Sequence, residues 1–473
     1  MTGSDAEGRA RFCNAVCRPP SSVVIITNTN NGHGYETLSE GEFAQQPIER
    51  RGATFWSVPT HIKSTEAKGQ GEAHMIALDE ETKKLMDEVK EKTTKCWNCN
   101  FCFSACPMFQ AGRGWWSYGP SGLAWSLYYG LELGLLDKPG PEAKELVNNV
   151  YACTTCNACT NTCRDFSASI PILEIIEKGR ALLVETAIGP MSQQKEALES
   201  LFKYGNPYGL SPKKRLDWLG GIEVKRLPQQ KAEVLYFVGD AASYEPELQN
   251  VPRSIVKLFQ FFKIDFGVLE EEKSCGDVAL RIGDRGLFEE LCDQNIGSFK
   301  TSGAKTIVTT SPHCMNMFKN EYDSSLQDTI EINHYTEFFA DLLARKKISF
   351  QKEFPYTVTL HDPCYLAKHN DITEPARKLL KAIPKLRPKE MKLSGRDSLC
   401  CGGGGGRLFT DVDEEHRPEH MRVEHVLEVG ADVVATACPW CNTLLRTAVT
   451  DLKLDDKIRV MDVSEILVES LDI

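Results

Sequence analysis

The sequence predicts a multidomain α/β protein: a helical, cysteine-rich segment followed by two small parallel α/β units in tandem. Three observations carry that prediction. The 473 residues are 41% hydrophobic and 26% charged, which suits ordinary globular cores in about three domains. Eight of the eighteen cysteines crowd into one helical-looking stretch, residues 81–205. From residue 233 onward, β-rich runs alternate with amphipathic helical ones, and the alternation occurs twice.

Each segment has its own grounds. Residues 1–80 form a polar extension in which only Val23–Thr27 predicts a strand, before an Asn-Asn-Gly turn at 30–32. The extension reads either as a poorly ordered leader or as an arm that orders against a partner subunit, the second being preferred. It holds Cys13 and Cys17, slender ground for a metal. Residues 81–211 are predicted helical. Within them Trp115 to Leu136 is rich in aromatics, with Glu132 as its only charge. That composition fits a membrane-contacting helix or core helices insulating two centres, and Gly119-Pro120 interrupts the run and favours the core. Residues 212–232, with Gly-Gly inside and charge around it, predict a linker. The two α/β units then span 233–350 and 351–473. Strands are expected at Val234–Val238 and Thr306–Thr310 in the first, and at Tyr356–Leu360 and Asp432–Thr436 in the second.

Charge excludes some functions. Lys plus Arg number 55 against 66 Asp plus Glu, a formal charge of −11. Nucleic-acid binding would ask for a basic face, so no such partner is expected. No apolar run reaches the roughly eighteen residues of a spanning helix. The N-terminus lacks the apolar core of a secretory signal, so the chain is expected in the cytoplasm. It would reach the inner face of a membrane only through partner subunits. A disulfide scaffold is normally small, secreted and widely spaced in its cysteines. Here the thiols are two or three residues apart in a long chain, which is metal-ligand spacing.

Two motifs state the chemistry. Cys96-x2-Cys99-x2-Cys102-x3-Cys106-Pro107 and Cys153-x2-Cys156-x2-Cys159-x3-Cys163 both match the bacterial run that holds a [4Fe–4S] cubane. In two-cluster proteins the fourth cysteine crosses to the other cluster. Cys96, Cys99, Cys102 and Cys163 are therefore assigned to one cubane, and Cys153, Cys156, Cys159 and Cys106 to the other. A pair of zinc sites is the competing metal for such spacing. Arg164 stands where the second motif would usually have Pro, and is read as a charge near a cluster or as a helix cap.

The third constellation is the most specific. Cys364 follows His361-Asp362-Pro363. Thirty-five residues intervene before Cys400-Cys401-Gly402, and thirty-six more before Cys438-Pro439-Trp440-Cys441. This pattern resembles the cysteine-rich CCG domain of heterodisulfide reductases and of iron–sulfur subunits of several flavin dehydrogenases. The resemblance implies a non-cubane [4Fe–4S] cluster on Cys364, Cys400, Cys401, Cys438 and Cys441, the site of disulfide chemistry. A structural zinc would leave one of the five idle. Gly402 and Gly403 open a glycine run without the Gly-Lys-Ser/Thr of a phosphate loop. It reads as a bare backbone that approaches the cluster and donates N–H groups to its sulfurs. In the same frame the first unit has Asp240 for Cys364, Ser274-Cys275 for Cys400-Cys401, and Ser311-x-x-Cys314 for Cys438-x-x-Cys441. Two thiolates among hard oxygens make a poor cluster cage, so this half is expected to lack one. Cys292 falls outside the pattern, as a core thiol.

From about residue 85 the order of parts is similar to the D-type subunit of heterodisulfide reductase. The implied fold is a helical two-cluster ferredoxin domain followed by two tandem Rossmann-like CCG domains. Tyr204-Gly205-Asn206-Pro207-Tyr208-Gly209 sits where such proteins leave the ferredoxin domain. The implied activity is that of an oxidoreductase subunit passing electrons through two cubanes to the C-terminal site, which reduces a disulfide. His361 or His369 would supply the proton a leaving sulfur needs, or simply hydrogen-bond within its loop, the plainer reading. With no Gly-x-Gly-x-x-Gly after a strand, flavin or nicotinamide belongs to another subunit. The partner would be a flavoprotein, or a membrane cytochrome or quinone-linked subunit. The alternative is an electron-transfer subunit of a glycolate, lactate or glycerol-3-phosphate dehydrogenase, or of an electron-transferring flavoprotein system, feeding quinone.

Overall fold

A computed structural model describes residues 22–29, 32–39, 79–112, 114–136, 140–410 and 417–472. Cys13 and Cys17 lie outside these residues. The chain divides into two compact units, Met1–Glu72 and Ala73–Ile473. In the first, β1 (Ser22–Thr29) and β2 (Gly32–Ser39) pair antiparallel, from Ser22 opposite Ser39 to Thr29 opposite Gly32. The expected strand lies within β1, while β2 has no apolar alternation to reveal it.

The second unit opens with helices. α1 (Glu80–Thr94) is capped by Asp79, whose carboxylate accepts from Thr82 N–H at 2.7 Å. Its stripe Leu85, Val89 and Thr93 is buried. There follow α2 (Pro107–Ala111), α3 (Pro120–Glu132), α4 (Pro141–Ala152), α5 (Ala158–Phe166), α6 (Ile172–Glu185) and α7 (Ser192–Tyr204). Pro opens α2, α3 and α4, where a missing N–H costs nothing. α1 packs on α6, and α3 packs on α1, α4 and α6. In the aromatic stretch, Leu123, Ala124, Leu127 and Leu131 are buried, while Trp115 and Leu133 are exposed. That is a core helix with a wet outer side. Among the described residues no helix is long and apolar enough to cross a membrane.

Two parallel sheets follow. The first holds β3 (Lys225–Leu227), β4 (Val234–Phe237), β5 (Phe266–Leu269), β6 (Thr306–Thr309) and β7 (Glu331–His334), in the order β3-β5-β4-β6-β7. Its helices are α8 (Asp240–Tyr244), α9 (Asn250–Phe261), α10 (Asp277–Ile282), α11 (Arg285–Ser302), α12 (Pro312–Asn316) and α13 (Tyr335–Ala344). The second sheet holds β8 (Thr357–Leu360), β9 (Arg387–Pro388), β10 (Val433–Thr436) and β11 (Arg459–Asp462), in the order β9-β8-β10-β11. Its helices are α14 (Cys364–Ala367), α15 (Glu374–Lys381), α16 (Pro418–Val429), α17 (Pro439–Asp451) and α18 (Val463–Glu469).

β9-β8-β10-β11 repeats β5-β4-β6-β7, so the two halves share a topology. Even the last turn matches. His334 with Glu337 and Asp462 with Glu465 form capping boxes at the starts of α13 and α18. β4, β5 and β10 are buried at every residue, as helices on both faces of a parallel sheet require.

Residues 212–232 depart from the expected linker. Trp218 is fully buried, Arg215 nearly so, and Lys225–Leu227 adds β3 to the edge of the first sheet beside β5. Charged Lys225 and Arg226 on a three-residue edge strand conceal it from any apolar pattern.

Candidate metal centres

The two ferredoxin-type motifs are built alike. Asn98 and Asn100 in the first, and Thr155 and Asn157 in the second, take positive φ between 50° and 64°, a region asparagine tolerates better than most residues. Each loop thereby turns a backbone N–H onto its first sulfur: Asn98 to Cys96 Sγ and Thr155 to Cys153 Sγ, both at 3.4 Å. Cys102 lies on a single 3₁₀ turn and Cys159 in the first turn of α5.

The fourth cysteines lie across. Burial raises Cys96, and Cys163 and Cys99 are the charges that raise it further. Cys99 Sγ is 3.0 Å from Ser167 Oγ, just past α5. Burial also raises Cys106, whose acting neighbours are Cys156 and Cys153. One enclosed apolar cavity is lined by Cys106, Cys153, Cys156 and Cys159 together with Met108, Leu123, Leu173 and Ile176. The two sets differ in access. Cys99 is exposed beside Trp97 and Phe166, which are 73% and 71% exposed, whereas in the second set Cys156 and Cys159 are buried and Cys106 and Cys153 half-buried. Arg164 is half exposed and paired with the adjacent Asp165 at 3.0 Å.

Arg180 is the charge that the cluster loops do meet. It is fully buried on the apolar stripe of α6 and donates to the carbonyls of Val150, Cys153, Arg281 and Gly405. It forms no ion pair among the described residues. Beyond these carbonyls, among the described carboxylates only the more distant Glu177, itself paired with Arg281, acts on its charge, and a buried charge so weakly countered is costly. A four-thiolate iron–sulfur group beside Cys153 is net negative and would supply a nearer anion, so the residues present fit such a group. Burial raises Cys153 to about 11, against the opposing pull of Arg180.

The five C-terminal cysteines converge. Cys364 opens α14 directly after β8, and Cys438 caps α17 directly after β10, at the carboxyl ends of adjacent strands. Cys400 and Cys401 come in from the loop between β9 and α16. Cys401 Sγ lies 3.3 Å from Cys441 Sγ, Cys400 lies beside Cys364 and Cys401, and Cys438 lies beside Cys441. Cys156 and then Cys364 hold Cys400 below the ordinary thiol range, and Cys400 and Cys441 hold Cys401 well below it. Against its burial, hydrogen bonds from Cys441 and His313 hold Cys438 down to about 5. Thiolates are the ligand form. Gly402 N–H points to Cys400 Sγ at 3.4 Å, and Gly403 N–H bonds Cys401.

The histidines are fixed. His361 Nδ1 accepts from Arg422 Nε at 3.0 Å, which leaves the ring proton on Nε2. Nε2 has no oxygen or nitrogen partner, and His361, Cys401 and Cys441 bring ligand atoms within 4.8 Å of one another. His369 Nε2 meets Thr155 O at 2.9 Å and its ring stacks on Tyr365 at 4.1 Å. Burial lowers both, His369 to about 3. Asp362 is held by both Arg377 guanidinium arms and by Gly395 N–H at 2.7 Å, which pins the loop that leads to Cys400.

The second ferredoxin loop and the terminal site touch. Cys156 packs with Cys400, Cys364 and Tyr365 in one small buried cluster. Thr155 Oγ1 meets Tyr365 Oη at 3.0 Å, and Asn161 donates to Lys368 O at 3.0 Å. The glycine run lies backbone to backbone on this loop: a Cβ on Gly404 would stand 2.3 Å from Thr154 O, and one on Gly405 2.5 Å from Cys153 O.

In the first half, Asp240 opens α8 after β4, where Cys364 opens α14, and Ser311 caps α12, where Cys438 caps α17. The oxygens are tied elsewhere. Ser274 donates to Asp240 at 2.6 Å, and Arg215 bridges Asp240 and Glu272. Cys275 and Cys314 remain and line one small cavity together. Cys292 is half-buried against the core.

Known proteins carry the same parts. A family model described as "Cysteine-rich domain" (CCG) matches residues 234–319 and again 358–446. A "4Fe-4S dicluster domain" model matches residues 92–165. The D-type subunit of the dihydromethanophenazine:CoB--CoM heterodisulfide reductase from Methanosarcina acetivorans is 31% identical over 406 residues, 83% of this chain and 97% of that one. The chain belongs to this family of CCG-domain iron–sulfur subunits. The "Probable iron-sulfur-binding oxidoreductase FadF" of Bacillus subtilis is 34% identical over 333 residues. The "EtfAB:quinone oxidoreductase" of Syntrophomonas wolfei is 31% identical over 337 residues. Each of these matches covers 68% of this chain, which spans about half of the relative, 46% in both cases.

The sequence of this CCG-domain protein carries signals for residues that spacing alone passes over. Arg180 interrupts the stripe Ile172, Ile175, Ile176, Gly179, Leu183 at a buried position. His313 stands in Ser311-Pro-His-Cys314 where the second half has Trp440.

Proposed function

We propose that the chain is an iron–sulfur oxidoreductase subunit of the heterodisulfide reductase type. Electrons enter at the surface-facing cubane set, pass the buried set and reach the five-cysteine terminal site. The contact of Cys156 with Cys400 and Cys364 carries this reading, because it joins the ferredoxin part to the CCG part through sulfur alone. Cys96, Cys99, Cys102 and Cys163 would hold the first cubane, and Cys106, Cys153, Cys156 and Cys159 the second. Cys364, Cys400, Cys401, Cys438 and Cys441 would hold the non-cubane cluster. When bound, these groups supply one-electron transfer and, at the terminal site, two such transfers that with two protons turn one disulfide into two thiols.

The residues do the rest. Arg180 holds Cys153 and the glycine run in one geometry and sets a positive charge beside the second cubane. Gly402 and Gly403 direct N–H groups at the Cys400 and Cys401 sulfurs. His361, kept neutral, is a fixed Nε2–H donor toward Cys401 and Cys441 rather than an imidazolium acid. The exposed edge at Cys99, flanked by Trp97 and Phe166, is where an electron-carrying partner would dock.

A second reading has its own support. All five terminal cysteines are between 1% and 6% exposed, and the relatives include one named for quinone reduction. In it the chain relays electrons from a flavoprotein toward quinone, with no substrate of its own.

The test begins with anaerobically prepared protein, which should contain about twelve irons in three four-iron clusters. Cys401→Ala should keep both cubanes yet fail to pass electrons to a disulfide or any downstream acceptor. Cys275→Ala should turn over normally and lose only about 1–3 kcal/mol of stability. An iron count near eight removes the terminal cluster. Full turnover in both variants makes the chain a two-cluster relay.

A further inference from the structure

Arg164 stands where the second ferredoxin-type motif would usually have Pro, and the two motifs end differently. In the first, Cys106 caps α2 and Pro107 opens that helix. In the second, Cys163 lies inside α5, which runs on through Arg164 to Phe166. A proline at 164 would take an N–H from the helix interior and press its ring on the carbonyl of Thr160. Arginine lets the helix continue, and the continuation delivers Ser167 to the other motif. Its Oγ lies 3.0 Å from Cys99 Sγ.

The residues after the helix are shaped around the same thiols. Ser167 N–H closes the helix on Cys163 O at 2.9 Å. Ser169 then takes φ +57°, a conformation serine seldom adopts, and its hydroxyl donates to Arg164 O at 3.4 Å. This turn brings the Ile170 N–H to Cys163 Sγ, 3.2 Å away. Cys99 and Cys163 thus each receive a donor from residues 167–170. In the second set the partners are backbone N–H groups, from Thr155 to Cys153 at 3.4 Å and from Phe109 to Cys106 at 3.5 Å. The Ser167 hydroxyl is closer, and it is a side chain that one substitution removes.

A sulfur that binds iron carries no proton, so at a loaded site the hydroxyl is the donor. Hydrogen bonds to the sulfurs and exposure to solvent are levers by which a protein sets the potential of an iron–sulfur group. Both favour the reduced, more negative form. Cys99 is exposed and Ser167 half-buried, so both levers act at this ligand. We infer that residues 163–170 form a potential-setting hood over the first cubane, in which Ser167 donates its O–H to the Cys99 sulfur and makes that cubane easier to reduce. Arg164 serves by sustaining the helix, not by its charge, which Asp165 answers at 3.0 Å. An entry site that is easier to reduce can be filled by a more weakly reducing partner. Ser167 is a tuning residue, not a catalytic one. The inference rests on the first cubane proposed above.

Spectroscopic redox titration of anaerobically prepared full-length protein tests it, with the second cubane as internal standard and iron content measured alongside. The signal perturbed in Cys99→Ser identifies the first cubane. Ser167→Thr and Ser167→Val differ only in a hydroxyl against a methyl. The threonine variant should keep the wild-type potential of the first cubane. The valine variant should move it to a more negative value, with iron content and the second potential unchanged. Arg164→Ala, which keeps the helix and drops the charge, should leave both potentials where they were. If the valine variant alone sheds iron, Ser167→Ala takes its place in the comparison. A first cubane with one potential in the threonine and valine variants overturns the inference and leaves the proposed function standing. Equal loss of iron from both does the same and makes Ser167 a packing residue. A shift in Arg164→Ala as large as that in the valine variant returns the effect to the arginine charge and also overturns it. Movement of the second potential in place of the first overturns the inference together with the crossed ligand assignment. Wild-type protein without two cubanes overturns the proposed function itself.

Discussion

Gly404→Ala is the perturbation that most directly probes how the ferredoxin part meets the terminal site. Gly404 lies outside the left-handed region, so alanine is conformationally acceptable there and any effect is steric. Its Cβ would stand 2.3 Å from Thr154 O, where ordinary contact begins near 3.4 Å. One backbone must retreat by the difference, about 1.1 Å. Neither is free to do so cheaply, because Thr154 is buried and Arg180 binds the neighbouring carbonyls of Cys153 and Gly405. Overpacking of this kind costs about 1–3 kcal/mol. The control is Gly297→Ala in the middle of α11, where an added Cβ meets nothing within 4 Å. It should stabilise by roughly 0.5–1 kcal/mol. Denaturant titration gives both numbers. Rapid reduction of the cubanes, followed by freeze-quench spectroscopy of the terminal cluster, gives the functional half. Gly404→Ala should retain its iron but fill the terminal site more slowly than Gly297→Ala. Wild-type stability together with wild-type terminal reduction in Gly404→Ala would refute the backbone-to-backbone junction.

Two further predictions use single residues. Cys106→Ser should disturb the cluster set of Cys153, Cys156 and Cys159 and spare that of Cys96, Cys99 and Cys102. Spectral damage confined to the first set would contradict the crossed arrangement. Asp462, which accepts from Tyr335 at 2.7 Å across the two halves, is pushed up to about 7 by burial, from an ordinary 3.8. A carboxyl raised on folding lends its stability below the unfolded value and loses it as pH rises through the folded one. The wild type should therefore forfeit a few kcal/mol between pH 4 and pH 7 that Asp462→Asn does not. Parallel pH slopes in the two proteins would dismiss this.

What the sequence made legible is what is local. The thiol spacings survive as loops because ligand geometry is set within a few residues. β4, β6, β8 and β10 stand out because strands covered on both faces are written as apolar runs. β5 is a four-residue run with Gly267 inside, β9 has two residues, and β7 and β11 each carry a charge, so none rises above its surroundings. The interactions that join the parts are long-range. Arg180 reaches residues 281 and 405, and the His313 ring reaches Tyr365 and Trp440. Each left only one trace in the sequence, a polar residue at a position whose neighbours are buried. The aromatic stretch is a half-way case, since composition alone suits a membrane face as well as a core, and only the helices packed around α3 decide it.

The misread linker and the lost ligands have one physical cause. Replacing a ligand cysteine by Asp240 at the end of β4 leaves a carboxylate in the interior, and such a group is tolerated only when paired and hydrogen-bonded. Ser274, standing where Cys400 stands in the other half, gives the hydrogen bond. The cation must come from elsewhere, and it comes from Arg215, which also holds Glu272. Glu272 in turn accepts from the backbone N–H groups of Val238 and Gly239 at 2.9 and 2.8 Å, fixing the turn that presents Asp240. Arg215 can do this only if residues 212–232 fold back onto the sheet, which they do by burying Trp218 and adding β3. Oxygens tied to one another and to Arg215 in this way would make a poor cage for iron. The same network has the rigidity to hold α12 against the other half, and so to seat the His313 ring between Tyr365 and Trp440.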